Sequence, residues 1–86
     1  MERKLPVEGM SIMAEGPEKV TNPISGESMI LPPDAVAVYD SLRGAEYLIS
    51  TQDFGDVPED YVFETLQKCR DWLAFHEPRA YQVLVD

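Results

Sequence analysis

The segment Pro32-Pro33-Asp34-Ala35-Val36-Ala37-Val38-Tyr39-Asp40-Ser41-Leu42-Arg43-Gly44-Ala45-Glu46-Tyr47-Leu48-Ile49 reads as an amphipathic helix. Two prolines and an aspartate form a start signal, with Asp34 or Pro33 near the cap. Ala35, Val38, Leu42, Ala45 and Ile49 then recur at 3-4-3-4 spacing, which places them on one stripe. Asp40, Arg43 and Glu46 fall outside it. Ala37, Ser41 and Gly44 or Ala45 form a second strip of small residues. Glycine costs roughly 1 kcal/mol against alanine inside a helix. Gly44 therefore marks either a close approach by another backbone, or a tolerated surface glycine or local break.

Downstream, Thr51 to Asp56 reads as a connection. Asp56-Val57-Pro58-Glu59 has the form of a capping box: an aspartate cap, a first-turn proline, and a glutamate three residues after the cap. A second helix follows to about His76. Val62, Leu66, Cys69 and Leu73 repeat at 4-3-4, and Tyr61, Trp72 and Phe75 widen the apolar face. Glu64 and Lys68 sit four apart in the favourable order on the outer face. Pro78 ends the helix, because proline disfavours helical geometry in the residue before it. The tail Pro78–Asp86 is open between a short third helix, with Ala80, Tyr81 and Leu84 inward, and a strand through Val83 and Val85. The helix is preferred.

Upstream, the composition changes. Pro6, Pro17, Pro23, Pro32 and Pro33 with Gly9, Gly16 and Gly26 make a stable helix before position 33 unfavourable. Val7–Ala14 has apolar residues without clear period. It reads as a short edge strand or as an arm that orders on a partner. Thr21-Asn22-Pro23-Ile24-Ser25-Gly26-Glu27 reads as a tight turn, and Met29-Ile30-Leu31 as an apolar run that tucks under the helices. The expected class is all-α: an antiparallel helical hairpin with a short third C-terminal helix and an extended N-terminal arm. Residues 1–33 form the Pro/Gly-rich arm and turn, and residues 34–86 the helical domain.

Eighty-six residues allow one thin core. Small scaffolds usually add disulfides, a metal or a partner. The single cysteine, Cys69, permits no intrachain disulfide, and with a single histidine, His76, a closed structural zinc site would need carboxylates to complete it. A partner is the remaining route. The formal charge of −9, from 16 acidic and 7 basic side chains, opposes binding to nucleic-acid phosphates or to an anionic membrane surface. It suits a basic protein partner or mimicry of nucleic acid, besides plain solubility. No run approaches the ~18 apolar residues of a membrane span. Met1-Glu2-Arg3-Lys4 is not followed by the apolar run of a secretory signal. The lone thiol fits a reducing cytoplasm.

Catalytic chemistry has little to work with. Cys69 and His76 are seven apart, two turns and about 10 Å along one helix, too far to act as a dyad. The ordinary reading is a buried thiol and a histidine that suits the helix C-terminus. Asp53, Asp56, Glu59 and Asp60 cluster near a helix start, where acids are favoured by the dipole, and their spacing lacks the calcium-loop pattern. No phosphate-cradling glycine loop occurs. No enzyme activity, cofactor or metal is expected.

The order Asn22-Pro23-Ile24-Ser25-Gly26-Glu27, Ala35-Val36-Ala37-Val38-Tyr39-Asp40, Asp71-Trp72-Leu73 and Pro78-Arg79-Ala80-Tyr81-Gln82-Val83-Leu84-Val85-Asp86 resembles small proteins of tailed bacteriophages, especially phages of marine bacteria and cyanobacteria. The similarity covers Asn22 to Asp86. In those proteins the Trp72-Leu73 position often reads Trp-Phe, a harmless change in a core. The resemblance implies a phage origin and an accessory or structural role, and it brings no catalytic or binding residues.

The expected function is non-enzymatic protein–protein interaction, as a small structural or assembly component of the virion. The interface expected for it comprises Met10, Ile12, Met13, Ser41, Gly44, Tyr61, Trp72, Phe75 and Tyr81. The partner is a second copy of the chain, another phage protein or a host protein. The alternative is an acidic inhibitor of a host enzyme or nucleic-acid-binding protein, with Asp53, Asp56, Asp60 and Glu64 as its contact face. The expected location is the host cytoplasm during infection, with the virion as the second place.

Overall fold

The computed structural model describes residues 3–7, 9–13 and 15–85. Glu8 and Ala14, within the segment read as an edge strand or arm, and Asp86, at the end of the tail, lie outside the described residues. Six elements follow one another: β1 (Glu18–Thr21), β2 (Ser28–Leu31), α1 (Pro33–Thr51), α2 (Glu59–His76), α3 (Pro78–Ala80) and a wider π-type turn over Tyr81–Val85.

Helix α1 starts as the two prolines dictate. Pro32 is extended and takes the cap position, Pro33 opens the helix, and Asp34 lies in the first turn. The helix ends where Gln52 turns left-handed (φ 58°) and donates its N–H to the Leu48 carbonyl at 2.9 Å. Helix α2 begins later than the Asp56 capping box implies. Pro58 takes the cap position with no side-chain cap bond, and Glu59 and Asp60 supply first-turn acids instead. Leu48 lies beside Val57 and Tyr61, while Pro33 and Asp34 lie beside Lys68. The two long helices therefore run antiparallel. Their facing stripes, Val38 and Leu42 with Cys69 and Leu73, are fully buried.

The all-α expectation is corrected: the three helices are joined by a two-stranded antiparallel sheet, and part of the expected extended arm is this hairpin. Val20 pairs with Met29, and Glu18 with Leu31. Val20, Met29 and Leu31 are the inward residues of the two strands, and Leu31 is fully buried. The strands share one core with the helices rather than extending away from it.

The turn between the strands is organised by Asn22, which is buried. Its Oδ1 accepts the Ile24 N–H at 2.9 Å, and its Nδ2 donates to the Val83 carbonyl at 3.2 Å. Gly26 takes φ 81° and donates its N–H to the Asn22 carbonyl at 2.8 Å. One side chain thus closes the hairpin and ties it to the C-terminal turn. That tail is helical, with Ala80 and Leu84 buried and Tyr81 half-buried. No helix among the described residues is long and apolar enough to cross a membrane.

Candidate docking groove

Asp34, Ser41 and Leu48 on α1, and Tyr61, Thr65 and Lys68 on α2, recur at helical spacing and line one side of the pair as a trough of two hollows. At the Pro33/Lys68 end the chain's own N-terminal segment lies over it, with Leu5, Val7 and Met10 packed against the core and a hollow of about 960 Å³ left there. At the Leu48/Val57 end it is open. Ser41, Gly44, Ala45 and Leu48 from α1, with Tyr61, Val62 and Thr65 from α2 and Val57 ahead of it, line a hollow of about 280 Å³.

The covered half is held by Arg3. Its guanidinium grips Asp34 with two bonds, Nε to Oδ2 and Nη2 to Oδ1, both 2.8 Å. Its Nη1 donates to Glu77 Oε2 at 2.7 Å and to the His76 carbonyl at 3.2 Å. The same group lies over the Trp72 ring, 4.8 Å from its centroid. Trp72 Nε1 donates to the Lys4 carbonyl at 2.7 Å. The hydrogen-bonded guanidinium holds the Asp34 carboxyl below its ordinary range, against the opposing effect of partial burial, and Asp34 in turn strengthens the Arg3 charge. This cluster joins the starts of the chain and of α1 to the end of α2.

The expected interface residues do not form one surface. Ser41, Gly44 and Tyr61 come together in the open hollow, with Tyr61 51% exposed. Met13, 86% exposed, lies beside Ser41 in a neighbouring dent, and Ile12 is exposed on the same segment. Met10 is half-buried against the core. Trp72 is only 6% exposed beneath Arg3 and Lys4, so it has little ring to offer a partner. Phe75, 80% exposed, sits at the far end of α2, edge-on to His76 at 4.8 Å. Tyr81 packs on the C-terminal side, away from the groove. The acids Asp53, Asp56, Asp60 and Glu64 are all exposed, and Glu64 pairs with Lys68 at 3.0 Å.

Periodicity alone missed Leu48, Val57 and Thr65 as groove residues. Position 48 is on the Ser41–Gly44 side of α1 at helical spacing, which was the available signal. Val57 carried none, since it lies in a turn whose N–H bonds the Phe54 carbonyl.

The reactive side chains are otherwise engaged. Cys69 is fully buried, and burial pushes its thiol up to about 11. The His76 ring lies against Trp72 at 4.6 Å. Among the described residues no group of three His, Cys, Asp or Glu side chains converges as a metal site. Comparison with known proteins gives no relative: no family model, no curated protein and no solved structure matches the chain.

Proposed function

We propose that this protein is non-enzymatic and acts by docking on another protein through the open half of the α1–α2 trough. The observation that carries the reading is that trough. The chain's own N-terminal segment lies over one end of it, with Leu5, Val7 and Met10 against the core, and the end over Gly44 is apolar and bare. An apolar groove between helices is a common seat for a partner helix or strand. The buried, protonated Cys69 and the ring-packed His76 support a binding role over catalysis.

The sequence resemblance to tailed-bacteriophage proteins supports reading this docking as that of a small structural or assembly component of a virion in infected host cells. Sedimentation of particles from cells producing a tagged chain tests this part. The chain is expected to travel with particles, and to stay at the top of the gradient when Gly44→Gln fills the groove. A wild-type chain that never leaves the top would sink the virion role.

A second reading, an acidic inhibitor, is supported by the exposure of Asp53, Asp56 and Asp60, none of which is in an ion pair among the described residues. Changing these three to asparagine, with Glu64 to glutamine, separates the readings. An inhibitor loses its target outright, whereas a groove-docking protein keeps apolar contact and loses only part of its affinity.

A further inference from the structure

The bare half of the trough is selective about what can lie in it. Beyond the local helix backbone and the two neighbouring residues, nothing comes within 4 Å of where a Cβ on Gly44 would stand, and Gly44 is not among the positive-φ glycines. A mid-helix glycine needed neither for backbone conformation nor for packing within its own chain leaves room for a backbone from outside. The floor is apolar (Ala45, Leu48, Val62), walled by Val57 and Tyr61. From Ser41 to Leu48 it runs about 10 Å along the axis, two turns of an accepted helix.

Acidic residues neighbour the groove residues along the chain and supply its rim charge: Asp40 lies beside Ser41 in the adjoining dent, Asp56 and Asp60 directly precede the groove residues Val57 and Tyr61, and Glu64 directly precedes Thr65. All four are exposed, and Asp40, Asp56 and Asp60 have no ion-pair partner among the described residues. Lys68, the basic residue that follows on α2, is held by Glu64. A second copy of this chain, itself carrying −9, would set this rim against its duplicate. Like charges facing each other across an interface oppose association.

We infer that the open half of the α1–α2 trough takes a basic amphipathic helix of another protein, its small or apolar face over Gly44 and its lysines or arginines on the acidic rim. This rests on the docking reading above and names the partner's chemistry.

The test uses the full chain and a synthetic helix of about 18 residues, alanine and leucine on one face and lysine on the other. A counterpart carries glutamate in place of lysine. Binding is read from backbone amide NMR shifts. The lysine helix is expected to move the amides of Ser41, Gly44, Leu48, Tyr61 and Thr65, and the glutamate helix none. Gly44→Gln, whose Cβ meets nothing within 4 Å beyond its own helix, is expected to keep the fold by circular dichroism and to weaken binding roughly tenfold or more. Raising salt from about 50 mM to about 500 mM is expected to weaken it several-fold through screening of the rim.

The inference is overturned, with docking left standing, if the glutamate helix binds the groove equally well. The same holds if the groove amides move when the chain is concentrated alone, which would make a second copy the occupant. Lysine-helix binding that ignores Gly44→Gln also overturns it, as attraction to acidic surface at large. If neither helix nor concentration moves any groove amide, the docking reading falls as well.

Discussion

Replacing Arg3 by alanine should cost more than any other single change at an exposed or half-exposed position. Four hydrogen bonds end on this guanidinium, three of them to carboxylates, and it covers the Trp72 face. Hydrogen bonds between charged groups contribute about 1.5–3 kcal/mol each when sheltered, and exposed ion pairs well under 1 kcal/mol. The Arg3 side chain is 27% exposed and its partners 17% and 24%, so the cluster lies between those limits. Adding the stacking on Trp72, about 0.5–1 kcal/mol, gives a loss of about 2–3 kcal/mol. For a chain of this size each kcal/mol moves the melting temperature by about 4–8 °C. Arg3→Ala should therefore melt at least ~8 °C lower by circular dichroism. Trp72 is the sole tryptophan, and its emission should shift to the red as the Lys4 carbonyl leaves its Nε1. Arg3→Lys should recover less than half, because a point charge cannot grip Asp34 with two parallel bonds. A cycle of Arg3→Ala with Asp34→Ala should show coupling of about 1–2 kcal/mol. A melt unchanged within error, together with unshifted tryptophan emission, would refute the claim that Arg3 clamps the N-terminal segment to the helices.

Asn22→Asp keeps the acceptor of the turn but loses the donor to the Val83 carbonyl, and should cost about 1–3 kcal/mol in urea unfolding. Tyr39→Phe should leave stability unchanged or raise it by up to about 1 kcal/mol, because the Tyr39 hydroxyl is buried without a hydrogen-bond partner. Stability should fall as pH rises above 9: the unfolded chain releases the Cys69 proton near 9.0 while the folded one keeps it to about 11, so the unfolded state binds fewer protons across that window. Over those two units the loss is about 2–3 kcal/mol, and urea unfolding of Cys69→Ala should lack it; the Tyr39 hydroxyl, also pushed up by burial, adds to the fall only above pH 10. Gly44→Ala should stabilise the fold by about 0.5–1 kcal/mol in the same assay, since the methyl meets open space in a helix.

Both long helices were legible because the signals are local. The 3-4 stripes of Val38, Leu42, Val62, Cys69 and Leu73 need only a few turns of chain to read, and those residues are buried. The Asn22 turn was legible for the same reason. The sheet on either side of it was not. β1 is Glu18-Lys19-Val20-Thr21, with Val20 as its inward residue, too short and polar to show alternation. Its pairing becomes worthwhile only when Met29 and Leu31 find the helical core. Proline at position 58 displaced the cap expected at Asp56, a choice between adjacent start signals that sequence spacing does not resolve.

Arg3 was beyond reach, since its partners lie 31 and 74 residues away. That contact also decided Trp72. On the helix alone the indole widens an apolar face, but the N-terminal segment covers it. The groove was half legible: Gly44, Ser41 and Tyr61 stood out by size and spacing, while Val57 joined them only through the path of the connection.

In the docking proposed above, a partner protein lies over Tyr61 and Gly44. The most direct measurement is photo-crosslinking in the cells where the protein acts, with a benzophenone side chain at Tyr61 in one variant and at Phe75 in another. Both positions are exposed aromatics on α2, about 21 Å apart along the helix. A single defined adduct from Tyr61, mapping to a lysine- or arginine-rich helix of another protein and missing from Phe75, is the predicted result. Adducts from Phe75 alone, or none from Tyr61, would contradict it.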